Sequence, residues 1–99
     1  VGIAEKNPQF AVAKNSLRIY PNPATDYANV FFTLNKTNET NVLVFDLSGK
    51  LVLSENMGVV AKGAAQYKLD CSNLKTSTYI IKLVSGQELI TGKIVVSKF

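Results

Sequence analysis

Seven carboxylates, one thiol and no imidazole make up the reactive chemistry available to this chain. The acidic residues are Glu5, Asp26, Glu39, Asp46, Glu55, Asp70 and Glu88, spread singly and mostly where turns are expected. Histidine is the usual general base near neutral pH and the commonest metal ligand, so its absence removes Ser-His-Asp, Cys-His and His-based metal constellations. Catalysis would need carboxylates alone. Two of them about 5 to 9 Å apart suffice for glycoside hydrolysis, and spacing along the chain does not forbid such a pair. Against it stand the absence of tryptophan and a length of 99 residues, too short to build a walled cleft. The reading is therefore of a non-catalytic domain, with no cofactor and no metal, that acts through its surface.

The single thiol, Cys71, rules out an internal disulfide framework and a thiolate zinc site. Its neighbours Asp70, Ser72 and Asn73 are turn formers, so Cys71 is expected to pack as a small apolar residue, with a reactive thiol as the sharper alternative. Around it, Asp70-Cys71-Ser72-Asn73-Leu74 reads as an Asx-type turn or one helical turn, with Leu74 entering the core. A calcium loop would need more than the one full charge of Asp70. Two N-glycosylation patterns, Asn35-Lys36-Thr37 and Asn38-Glu39-Thr40, are frequent by chance and carry little weight.

A net charge of +4 and a pI near 9.3 invite a nucleic-acid reading. Yet only Arg18 among eleven cations is an arginine able to make a bidentate contact. The lysines at 36, 50, 62, 68, 75, 82 and 93 fall one per loop or strand instead of forming a stripe. Solvated lysines that keep strand edges soluble are the plainer reading, attraction to an anionic surface the next, and no nucleic-acid partner is expected.

These side chains must be positioned by one small domain, since 99 residues leave no room for a second core. At 46% apolar and 18% charged, the chain is expected to fold alone. No apolar run approaches the roughly 20 residues that span a bilayer, so it is not read as membrane-spanning. No leader opens it, and a first residue of Val suggests a piece of a longer protein. Residues 1–16 read as a linker, although Phe10-Ala11-Val12-Ala13 could add an edge strand. From Leu17 onward, β-branched and aromatic runs alternate with turn residues every 8 to 12 positions or so, the spacing of an all-β sandwich. Strands are predicted at Leu17 to Tyr20, Tyr27 to Leu34, Asn41 to Asp46, Leu51 to Glu55, Ala64 to Leu69, Thr78 to Ser85 and Glu88 to Val96.

Period-two alternation makes Ala28, Val30, Phe32 and Leu34 core candidates in the second strand, and Tyr79, Ile81 and Leu83 in the sixth. Asp46-Leu47-Ser48-Gly49-Lys50 supplies an acidic turn starter and a glycine able to take positive φ, so a tight hairpin is expected there. Pro21 and Pro23 fix φ and withhold donors, ending the first strand. Phe31, Leu43 and Phe45 are apolar out of phase. If the second and third strands pair, these three would form an exposed apolar patch on one sheet. Shielding by the linker or by lysine stems is the alternative.

In order, Ile19-Tyr20-Pro21-Asn22-Pro23, Asp26 before a strand, Val44 to Val52 with its Asp46-x-x-Gly49-Lys50 hairpin, Leu69-Asp70 with Leu74, Thr78 to Leu83, and Lys93-Ile94-Val95-Val96-Ser97-Lys98 accumulate into a pattern. Over Leu17 to Phe99 the chain resembles the type A C-terminal sorting domain of the type IX secretion system. The resemblance implies an immunoglobulin-like, seven-stranded antiparallel β-sandwich at 17–99. It further implies a Bacteroidetes origin and a secreted cargo ahead of the domain, often a protease, an adhesin or another surface protein and in some cases a virulence factor.

The cargo would cross the periplasm and be led by this domain through an outer-membrane translocon, with a shuttle protein as a further partner. A surface sortase would then cut within or beside 1–16 and join the cargo to anionic lipopolysaccharide at the cell surface. The closing motif falls on Lys93, Ile94, Val95, Val96 and Lys98, with Phe99 beside it, and is the candidate recognition element. The opening motif, Tyr20, Pro21, Asn22 and Pro23, reads as structural, as do Asp46, Gly49 and Lys50. One departure is Ser77-Thr78, where the family usually has glycine before Tyr79, so that turn is expected to differ in geometry. An immunoglobulin- or fibronectin-like adhesion or glycan-binding module remains the alternative, and a weak homodimer through a strand edge stays open.

Overall fold

A computed structural model describes residues 17–98; the predicted linker, with the cleavage expected in or beside it, and Phe99 lie outside the described residues. The described residues form seven strands and no helix: β1 (Arg18–Tyr20), β2 (Tyr27–Leu34), β3 (Asn38–Phe45), β4 (Leu51–Val60), β5 (Gly63–Asp70), β6 (Ser77–Ser85) and β7 (Glu88–Val96). They build two antiparallel sheets, one ordered β1-β2-β5 and the other β4-β3-β6-β7, the arrangement of an immunoglobulin-like sandwich.

Alternation along each strand explains the packing, because every second side chain of a pleated strand enters the same face. Ala28, Val30, Phe32 and Leu34 of β2 are buried, and Tyr79, Ile81 and Leu83 of β6 face them from the other sheet. Ile90, Ile94 and Val96 of β7 and Val42 and Val44 of β3 complete that inner face, with Leu69, Cys71 and Leu74 closing one end. Two polar side chains, Thr40 and Ser85, are buried as cross-strand partners, and their hydroxyls hydrogen-bond to each other at 2.9 Å. That pairing offsets their desolvation.

Two strands differ substantially from the predicted bounds, while β1, β5 and β6 differ by no more than a single residue at either end. β3 starts at Asn38 and β4 runs on to Val60, because the first of two register shifts, at Thr40/Asn41, leaves Met57 without a partner on β3 and lets Asn38, Glu39 and Thr40 pair with Val60, Val59 and Gly58. Gly58 takes φ 76° at the first shift, and its N–H is held by the Asn56 side chain at 2.6 Å. A bulge with a left-handed glycine thus extends a hairpin that propensity alone would end.

After the first strand the chain also changes sheets. β1 pairs with β2, ends at Tyr20 and is followed by two cis peptide bonds, Tyr20-Pro21 and Asn22-Pro23. Ala24 then bridges Val96 in parallel, at the edge of the opposite sheet. A backbone without N–H groups at Pro21 and Pro23 suits a crossover that leaves one ladder and joins another.

Candidate functional site

The closing motif is the outer strand of the four-stranded sheet, and its side chains divide by parity. Ile94 and Val96 are fully buried, whereas Lys93 is exposed and Val95 is 38% exposed on the outer face. Two of the residues proposed for recognition are therefore core residues. Lys98 also has a structural post: its ammonium donates to the carbonyls of Cys71 at 2.9 Å and Ser72 at 3.3 Å, and its backbone N–H donates to the Thr76 hydroxyl at 2.8 Å. It ties the end of the chain to the Asp70–Asn73 turn.

The edge of β7 is covered by the opening motif. The Asn22 side chain donates from Nδ2 to the Lys93 carbonyl at 3.2 Å and accepts the Val95 N–H at Oδ1, 2.9 Å away. Ala24 donates to the Val95 carbonyl and accepts from Ser97 N–H, both at 2.8 Å, and the Thr25 hydroxyl reaches the Ser97 carbonyl at 3.2 Å. Further up the strand, Leu17 N–H points to the Thr91 carbonyl at 3.4 Å. A reader cannot pair with this part of the edge while these bonds stand.

The hairpin motif has a local explanation. Asp46 accepts the Ser48 N–H at 2.9 Å, the Ser48 hydroxyl at 2.6 Å and the Lys50 N–H at 3.0 Å, while Gly49 turns at φ 90°. The Ser48 hydroxyl first, then the Lys50 amide, hold the Asp46 carboxyl below its ordinary value. The Asp70 carboxyl is lowered in the same way by the Ser72 hydroxyl and amide. Its oxygen at 2.9 Å from Ser72 N makes the predicted Asx turn, with Leu74 buried behind it. Cys71 packs in the core as expected, and burial pushes its thiol up. Among the described residues no three of His, Cys, Asp and Glu gather in a way that could hold a metal ion.

The expected apolar patch does not assemble. β2 and β3 lie in different sheets, so Phe31 sits on the outer face of the three-stranded sheet and Leu43 and Phe45 on the outer face of the other. Only Phe31 is exposed; Leu43 and Phe45 are half-buried, with the Lys82 ammonium 5.1 Å from the centre of the Phe45 ring. Pairing of β3 with β4 and β6 on both sides is the reason, since it leaves no room for β2. Near the departure from the family pattern, β6 starts at Ser77 and the Tyr79 hydroxyl donates to the Lys75 carbonyl at 2.8 Å, bracing the turn without a glycine.

Sequence reasoning read the opening motif as structural but did not connect it with the closing one, and it passed over Ala24 and Thr25. Nothing in a single sequence signals a contact 71 to 73 residues apart.

The family model for the secretion system C-terminal sorting domain matches residues 18–97. The chain belongs to that family. The opening motif, the Asp46 hairpin, the Asp70 turn and the closing strand of this sorting domain all fall inside the matched span. None of the curated proteins matches it. As a type IX sorting domain it serves as a secretion signal for a cargo that ends at the cell surface or outside, and it interacts with the type IX machinery. Sorting signals of this kind are typically non-catalytic.

Proposed function

We propose that this domain is a removable address label. A cargo carried ahead of it crosses the periplasm, is taken through the outer membrane by the type IX translocon and its shuttle protein, and is released when a surface sortase cuts within or beside residues 1–16. The cargo is then joined to anionic lipopolysaccharide. The observation that carries this reading is the family match over residues 18–97. Within the closing motif, we assign recognition to the outward Lys93 and Val95, and folding to the buried Ile94 and Val96. Lys98 fixes the chain end.

The test is a fluorescent protein with a periplasmic leader fused ahead of Val1 to Phe99. It is expressed in a bacterium with this secretion system and in the same strain lacking the translocon. Fluorescence at the surface or in the medium of the first strain, and in the periplasm of the second, is expected. Periplasmic retention in both would overturn the reading and favour an adhesion module that binds a surface but exports nothing.

A further inference from the structure

An outer strand exposes a row of N–H and C=O groups that another chain can pair with, so proteins cover or blunt such edges. In this domain β7 is an outer strand and also carries the closing motif. Its Lys93 carbonyl and Val95 N–H face the crossover, where the backbone passing by is Pro21-Asn22-Pro23. Neither proline has an N–H to offer the Lys93 carbonyl. A carboxamide carries a donor and an acceptor on one planar group, so it can imitate the peptide of a neighbouring strand. Asn22 does this with both bonds at once; an Asp in its place would lack the donor, and a Ser or Thr would have donor and acceptor on a single oxygen instead of on the two atoms of a planar group.

We infer that Asn22 is a positioning residue of the export signal: its carboxamide clasps the closing strand at Lys93 and Val95, so that the machinery reads these two side chains on a closed edge and not on a free chain end. The signal is then a composite of two motifs 71 to 73 residues apart, active only in the folded domain. Lys93 and Val95 point outward on either side of buried Ile94, so their spacing and direction depend on β7 staying flat against β6. The clasp acts on the backbone of those two residues. This inference rests on the export reading proposed above.

The experiment uses the same fluorescent fusion with Asn22→Ala, which removes both bonds, and Asn22→Asp, which keeps an acceptor for Val95 N–H and sets an oxygen against the Lys93 carbonyl. Thr33→Ala, on the outer face of the opposite sheet, is the control. Hydrogen exchange on each domain reads the Val95 amide, and a protease challenge of the periplasmic fraction shows whether the retained protein is folded. Protection of Val95 is expected to fall about tenfold in Asn22→Ala and less in Asn22→Asp, by the size of the hydrogen bonds removed. Surface fluorescence is expected to fall in the same order while the retained fusion resists protease.

A merely structural Asn22 would lower protection and leave export of the folded fusion unchanged, and that result would overturn the inference. Should Asn22→Ala unfold, the Asp variant decides alone: folded and exported as well as Thr33→Ala overturns the proposal, folded and retained supports it. Retention of the unsubstituted fusion would overturn the export reading itself, a result separate from any difference among the variants.

Discussion

Individual side chains in this domain work mainly on backbone. Asp46 and Asp70 each begin a turn by accepting N–H groups that follow them, and both carboxyls are held below their ordinary value of 3.8. A carboxyl whose pKa is lower folded than unfolded binds protons more readily in the unfolded chain. The stability it contributes is therefore present above the unfolded value and is lost as pH falls through the folded one. The melting temperature of the domain is expected to drop as pH is lowered below 3.8. In an Asp46→Asn, Asp70→Asn double variant, melts recorded from roughly pH 6 down to 2 should show a flatter profile. Equal steepness in the two proteins would remove both turns from the account. Tyr67 has its phenol pushed up, by burial first and then by its hydrogen bond to Glu55, so it stays neutral through this range.

At the scale of elements, β7 combines two duties by alternation. Its inner residues Ile94 and Val96 belong to the core, and its outer residues Lys93 and Val95 face solvent. Truncating a buried isoleucine forfeits transfer free energy and leaves a cavity, so Ile94→Ala is expected to cost about 2–5 kcal/mol in urea denaturation. Lys93→Ala and Val95→Ala remove exposed atoms and should stay within about 0.5 kcal/mol of the unsubstituted domain. Should Lys93→Ala destabilise as much as Ile94→Ala, any export defect it caused would be a folding defect, and the division of labour within the strand would fail. The same parity shows why removing Lys93 to Phe99 whole is a poor test of recognition, because that cut takes two core residues with the signal.

Over the whole molecule, the first strand and the crossover after it hold the two sheets together at one side, the strand by pairing with β2 and the crossover by bridging Val96 through Ala24. This needs a close approach at Gly92. A Cβ there would lie 2.8 Å from Leu17 Cβ and 3.2 Å from Ile19 Cδ1. Gly92→Val should wedge the first strand away from β7, costing about 1–3 kcal/mol as overpacking does. The loss should be read both as a lower urea midpoint and as faster exchange at the Leu17 amide. An unchanged midpoint would mean that the crossover moves aside without cost.

Much of this architecture was legible beforehand. Strand positions, the inner faces of β2 and β6, the Asp46 hairpin and the Asx turn at Asp70 all follow from local rules: a two-residue period, a turn former at its place, a proline that cannot donate. The family resemblance was legible for the same reason, being a succession of such local signatures. The ends of β3 and β4 were not, since a bulge is a property of two paired strands and neither sequence alone contains it. Nor was the fate of Phe31, Leu43 and Phe45, because period-two patterning says which residues share a face of one strand but not which strands become neighbours. The meeting of Asn22 with Lys93 and Val95 belongs to the same class. The residues by themselves determined a sandwich with an opening and a closing motif; only tertiary pairing decided that the first motif would close the edge of the second.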